Sequence, residues 1–265
     1  MNQFEEARKY LRSCGIDHPD PDVDLMAAFC AGQPLKNAIG SPPPTLNQPQ
    51  ELKFRRMVAR RGEKREPIAY LVGNQEFMGL EFKITPSVLI PRPSTESLVE
   101  RAALHQPRTF LEIGTGSGAI SVVLALGGAK GTATDVSARA LEVAQHNARL
   151  HGVEDRITFV EADLFVAHGT FDMVISNPPY VATREMATLQ PEVKHEPKLA
   201  LEAGADGLDV IRRIVAGARG RAPRLLLEFG STQAAAVVDL ALQAGWRRVR
   251  TYKDLDGFDR VLEAS

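Results

Sequence analysis

The chain has 265 residues, 44% hydrophobic and 25% charged, enough for a sizeable core in one large or two smaller domains. Its net charge of −1 excludes a general attraction to nucleic acid or to membrane surfaces. The longest apolar run, Ala119–Ala129, is too short to span a bilayer, and the acid-bearing N-terminus lacks the apolar core of a signal peptide, so a cytoplasmic protein is expected.

Residues 1–72 read as helices. "FEEARKYLRSCG" ends at Gly15 as a C-terminal cap, and "PDPDVDLMAAFCAG" places acids early and Gly32 after its end. "SPPPTLNQPQ" reads as a connecting loop. In "PQELKFRRMVARRGEK" the residues Phe54, Met57 and Val58 share one helical face. Cys14 and Cys30 are expected as reduced, half-buried helix residues rather than a disulfide framework. From 73 to 93 the pattern alternates around a glycine and then meets three prolines, which predicts a β-hairpin acting as a stiff connector.

From 94 to 265 short apolar strands alternate with helical stretches. "TFLEIG", "GTATDV", "RITFVEAD", "FDMVISN" and "RLLLEFG" are five candidate strands, and the C-terminal "WRRVRTYKDLDGFDRVLEA" reads as two more around a turn. Ser137 is the predicted N-cap of "ARALEVAQHNARL". Such alternation predicts an α/β fold, a largely parallel sheet covered by helices on both faces.

"FLEIGTGSGAI" sets Gly114, Gly116 and Gly118 between a strand and a helix, where glycine allows a tight turn and a close backbone approach to a ligand. Gly114, Gly116 and Ala119 satisfy the dinucleotide fingerprint, but the extra Gly118 makes a G-x-G-x-G form that also cradles the amino-acid part of S-adenosylmethionine. Asp135 ends the next strand, where a carboxylate can accept two ribose hydroxyls. Asp163 ends the third, placed for the adenine amino group, with Leu164 packing on the ring.

The fourth strand ends in "NPPY", Asn177 to Tyr180. Two prolines stop the strand and present carbonyl acceptors without N–H donors. An amide or aromatic amino nitrogen is a poor nucleophile because its lone pair is delocalised. A site that accepts both of its N–H bonds, on the Asn177 oxygen and the Pro178 carbonyl, aims that lone pair at a methyl donor. Tyr180 is read as a flat wall for the planar group. A nicotinamide dehydrogenase has no use for such a turn. The histidines are scattered without metal-binding spacing, and His195 is read as structural.

Here the chain resembles the bacterial peptide chain release factor glutamine methyltransferases. The likeness is carried by "REPIAYLVGNQEFMGLEFKITPSVLIPRPSTESLVE", "EIGTGSGAI", "ISNPPYV", "HEPKLALEAGADGLDVIRRI", "LLLEFGSTQ" and "DLDGFDRVLEA". The stretch ending in "VLIPRPSTE" is more specific than NPPY, which adenine-specific nucleic-acid methyltransferases share. Ser94 and Glu112 depart from the family's usual Glu or Asp, and usual Asp, but both remain polar. The resemblance implies a class I, Rossmann-like methyltransferase domain with a mixed seven-stranded sheet behind a small helical domain. It implies S-adenosylmethionine contacts from Gly114, Thr115, Gly116, Ser117, Gly118, Asp135, Leu164 and Asn177, S-adenosylhomocysteine as product, and glutamine contacts from Asn177, Pro178, Pro179 and Tyr180. The substrate it implies is N5 of the Gly-Gly-Gln glutamine in class 1 release factors. A monomer without metal or membrane partner is expected, in which residues 1–72 dock the substrate.

The alternative is adenine-N6 methylation of DNA or RNA. Lys53, Arg55, Arg56, Arg60, Arg61, Lys64 and Arg65 support it, but no base-reading module accompanies them. A non-catalytic cofactor-binding regulator would need a damaged acceptor turn, and this one is intact.

Overall fold

A computed structural model describes residues 2–254 and 256–265, which separate into two compact units. One comprises residues up to Asn74 together with 190–195, the other 75–189 with 196–265.

The first unit is built of α1 (Gln3–Ser13), α2 (Asp20–Ala31), α3 (Gln48–Lys64) and the short α4 (Ile68–Val72). Its helix ends follow local chemistry. After α1 the N–H groups of Gly15 and Ile16 return to the carbonyls of Arg12 and Leu11, a Schellman closure that needs the positive φ of Gly15. The helix α3 starts inside the stretch read as a loop. Asn47 and Gln50 exchange side-chain and backbone bonds there, forming a capping box. Phe4 meets Phe54 edge-on at 5.3 Å within a core that also holds Leu11, Val23, Met26 and Met57. Both cysteines are free. Cys30 is buried in this core rather than half-buried, and Cys14 caps α1.

Charged groups are buried in this unit as well. Arg61 bonds Asp22 at 2.6 Å and Glu192 at 2.7 Å, and Arg65 bonds Glu192 at 2.7 Å. These pairs tie 190–195 to α3. His195 accordingly has a structural bond, its Nε2 lying 2.6 Å from the Lys64 carbonyl.

Apart from Asn74, the hairpin of β1 (Asn74–Phe77) and β2 (Leu80–Lys83) opens the second unit. Met78 and Gly79 between them both have positive φ, as a two-residue type I′ turn requires. Then come α5 (Pro93–Ala103), β3 (Thr109–Ile113), α6 (Ala119–Leu126), β4 (Lys130–Asp135), α7 (Ala138–Leu150), β5 (Ile157–Glu161) and β6 (Met173–Ser176). After the NPPY turn and three short 3-10 turns follow α8 (Asp209–Ala218), β7 (Leu225–Glu228), α9 (Ala234–Gln243), β8 (Val249–Lys253) and β9 (Asp259–Ala264). All seven strands expected after residue 94 form, and Ser137 caps α7. The turn between β8 and β9 contains Leu255, which lies outside the described residues, as does Met1.

The seven strands lie in the order β5-β4-β3-β6-β7-β9-β8; β9 runs antiparallel to both of its neighbours, β7 and β8, and the other pairings are parallel. Helix α6 packs on both α5 and α7, and α8 packs on α9. Alternation along β3 serves both sides. Leu111 and Ile113 join the α8 and α9 core, while Glu112 reaches Ser121 of α6. The chain runs from β3 outward to β4 and β5, then returns past β3 to β6. That reversal opens a crevice beyond the carboxyl ends of β3, β4 and β6.

Candidate active site

The glycine loop leaves β3 at this reversal, and its glycines serve different ends. Gly114 and Gly116 have φ of 70° and 54°, and a Cβ on either would meet no protein atom within 4 Å. The space they keep clear belongs to the cavity they line. A Cβ on Gly118 would instead stand 3.0 Å from the backbone of Ala144, so Gly118 lets α6 pack against α7. Asn147 of α7 accepts the Lys83 N–H and donates to the Lys83 and Ser117 carbonyls, joining the hairpin to the loop.

Beneath the loop Glu112 is 1% exposed and accepts from the Thr115 hydroxyl at 2.7 Å and from the Ser121 N–H and hydroxyl. Burial pushes its carboxyl up to about 7, against these bonds. Asp135 accepts the Gly116 N–H on one oxygen and the Ser137 N–H on the other, each at 2.9 Å. Burial raises its pKa, opposed by the backbone bonds. Each oxygen retains a lone pair for a further donor. Asp163 also lines the cavity, although Arg213 pairs with it at 2.8 Å. Leu164 holds a φ of 75°, unusual for a branched side chain, and its carbonyl accepts the Thr134 hydroxyl at 2.6 Å.

The NPPY turn is held from three sides. The Ser176 hydroxyl bonds the Ile113 carbonyl at 2.7 Å. Asn177 Nδ2 donates to Thr95 Oγ1 at 2.9 Å, and the Thr95 hydroxyl donates to Glu228 at 2.7 Å. The Gln233 side-chain amide accepts the Gly230 N–H and donates to the Tyr180 carbonyl at 3.0 Å. Gly207 has no room for a Cβ, which would fall 2.4 Å from that carbonyl.

These parts surround a cavity of about 400 Å³ lined by Gly114, Thr115, Gly116, Ser117, Asp135, Asp163, Leu164, Asn177, Pro178 and Pro179. Most of the expected site residues are therefore brought together. Gly118 and Tyr180 stand outside the lining. The Tyr180 ring packs on the core shared by α8 and α9, its hydroxyl lies 3.4 Å from Glu228, and burial beside that carboxylate raises its pKa. Sequence reading passed over Thr95 and Val136, which line the cavity, and Gln233 and Glu228, which brace the turn. A signal for Glu228 was present, one acid closing an otherwise apolar strand that is buried throughout.

The cavity fits S-adenosylmethionine. The cleared glycine loop suits close approach by its amino-acid part, Asp135 keeps acceptor capacity for hydroxyls, and Asn177 and Pro178 stand at the end of the neighbouring strand.

Two family models match: "PrmC N-terminal domain" over residues 3–73 and "Methyltransferase small domain" over residues 92–219. A release factor glutamine methyltransferase of Cereibacter sphaeroides is 41% identical over 262 residues, 96% of this chain and 94% of its own. One of Geobacter sulfurreducens is 39% identical, covering 96% and 92%. One of Bordetella pertussis is 44% identical over 80% and 82%. Among solved structures, the hMettl16 catalytic domain bound to MAT2A 3′UTR hairpin 1 superposes with TM-score 0.61 at 18% identity, over 96% of this chain and 90% of that one. A methyltransferase from Pyrococcus furiosus gives TM-score 0.54 at 17% identity, over 82% and 98%. At such identities the structures share the fold alone.

Fold, crevice and likenesses together define an S-adenosylmethionine-dependent methyltransferase. The chain belongs to the release factor glutamine methyltransferase family.

Proposed function

We propose that this enzyme methylates the side-chain amide nitrogen of the glutamine in the Gly-Gly-Gln loop of class 1 release factors, supporting translation termination in the cytoplasm. The supporting observation is the orientation of Asn177. Its nitrogen is committed to Thr95, which leaves its oxygen to accept beside the cavity. When bound, S-adenosylmethionine supplies an electrophilic methyl group. Gly114 to Ser117 and Asp135 hold its amino-acid and ribose parts, and Leu164 packs beside its base.

Asn177 and the Pro178 carbonyl take the two N–H groups of the glutamine amide. Accepting both turns the nitrogen so that its lone pair faces the methyl donor, a gain in orientation rather than in intrinsic nucleophilicity. Pro178 and Pro179 contribute no N–H donor to compete at this turn. The helical unit serves as the docking surface for the release factor, and the enzyme acts as a monomer. Incubating it with labelled S-adenosylmethionine beside a class 1 release factor, the same factor with its glutamine changed to alanine, and an adenine-containing oligonucleotide tests the reading. Label is expected on the first alone, and label on the oligonucleotide alone would overturn it.

A further inference from the structure

We propose that Glu228 is a positioning residue for methyl transfer, setting the direction of a hydrogen-bond chain through Thr95 that turns the Asn177 oxygen toward the substrate. The inference rests on the reading of Asn177 as an acceptor.

An asparagine amide is nearly symmetric in shape, so its neighbours decide which end is nitrogen. Thr95, its neighbour here, can donate or accept. Left alone, a threonine hydroxyl could donate to the Asn177 oxygen, and the amide would then turn its nitrogen rather than its oxygen toward the substrate. Glu228 removes that choice. Its carboxylate is fully buried and, among the described residues, is met by hydroxyl donors. The Thr95 and Ser94 hydroxyls reach it from α5 at 2.7 and 3.0 Å, and the Tyr180 hydroxyl lies 3.4 Å away. Burial raises the pKa of this carboxyl, while the Thr95 and Ser94 hydroxyls, the Arg260 charge on β9 and the Tyr180 hydroxyl oppose that and favour the ionised form.

Because the Thr95 proton is spent on Glu228, Thr95 Oγ1 can only accept from Asn177, and Asn177 Nδ2 becomes the donor. No donor among the described residues takes the Asn177 oxygen. The chain therefore runs one way, Asn177 to Thr95 to Glu228, and ends on a group that lies outside the cavity lining. Ser94 fits the same scheme, since a hydroxyl there adds a donor to Glu228.

Thr95→Val keeps the side-chain shape and removes the middle link. Its kcat on a class 1 release factor is expected to fall about 10- to 100-fold through misorientation. Its KM for that factor and its affinity for S-adenosylhomocysteine should stay within about twofold, as expected if ground-state binding is retained. Thr95→Ser, which restores the hydroxyl, should recover most of the rate. A second readout needs no turnover. The Asn177 side-chain ¹⁵N–¹H pair, identified by its loss in Asn177→Ala, should be sharp and slow to exchange in the free wild-type enzyme and in Thr95→Ser. It should broaden in Thr95→Val and in Glu228→Met, which removes the terminal acceptor. Adding Thr95→Val to Asn177→Ala should cost nothing further.

A folded Thr95→Val enzyme at the wild-type rate, or one that slows Asn177→Ala as much as it slows wild type, overturns the proposal while leaving the acceptor reading standing. Asn177→Ala at the wild-type rate overturns that reading instead.

Discussion

On the proposed reading, Asn177 acts as an acceptor because its nitrogen is already engaged by Thr95. Replacing it with alanine leaves the strand-ending prolines to set the turn, so the fold should persist while kcat falls on the order of 10²- to 10³-fold, as when one preorganised transition-state hydrogen bond is lost. Single-turnover methylation beside a cofactor titration checks this, and only the first should respond strongly. Asp135 predicts the opposite division. Asp135→Ala removes a carboxylate that also braces Gly116 and Ser137. Cofactor affinity should drop by roughly 1.5–3 kcal/mol, the worth of hydrogen bonds to a charged group. Unchanged affinity by calorimetry would take Asp135 out of the site.

Glu112 makes a prediction in pH. Its carboxyl is raised from 4.5 to about 7 in the folded chain, chiefly by burial. Between those values the folded state keeps a proton that the unfolded state has released. The stability contributed by the protonated acid is therefore complete below about 4.5, drains as pH rises, and is gone above about 7. Glu112→Gln stays neutral throughout. Its stability relative to wild type should climb across that window by as much as about 3 kcal/mol and then level off. Paired melting curves measure this, and a constant difference would contradict it.

At the scale of elements, the glycine loop depends on helix packing as much as on ligand space. Gly118 combines a φ of 79° with the close approach of Ala144. Gly118→Ala should destabilise the fold by about 1–2 kcal/mol from the backbone conformation alone. Packing adds to that, because backbone is harder to displace than a flexible side chain. At Gly114, where a Cβ meets no protein atom, a matched substitution carries only the conformational cost in the free enzyme and should weaken cofactor binding more. Comparing thermal shifts with and without S-adenosylhomocysteine separates the two positions. The outcome expected is a larger loss of ligand-induced shift at Gly114.

At the scale of the whole molecule, the segment 190–195 follows the NPPY turn in sequence yet belongs to the helical unit. Arg61 sits between Asp22 and Glu192, and its side chain is 10% exposed. Glu192 is half-buried, which raises its pKa, but the bonds from Arg61 and Arg65 outweigh that and hold it below the usual range. Arg61→Ala strands two carboxylates against each other. It should cost about 3–5 kcal/mol, as breaking a buried ion pair from one side does. Urea denaturation measures this, and Arg61→Lys should lose less. A loss under 1 kcal/mol would mean that the pairs are solvated (about the value of a surface pair).

The sequence by itself determined what depends on neighbours along the chain. Glycine at the αL positions, Ser137 before α7, prolines after β6 and the alternation of strand and helix are local rules, and each shows in the spacing of residues. The sequence therefore leads one to expect the ends of β3, β4 and β6 together, and in the structure they line one cavity. Only the tertiary structure decided which groups support that site from a distance. Thr95 and Glu228 stand 133 positions apart, and Arg61 and Glu192 stand 131 apart. No periodicity links such pairs, because they meet through sheet order and the path of the chain. The same holds for Tyr180, whose aromatic ring suggested a wall for the substrate. Its place was set by the core formed by α8 and α9, and by Glu228, an acid that the fold buries at the end of β7.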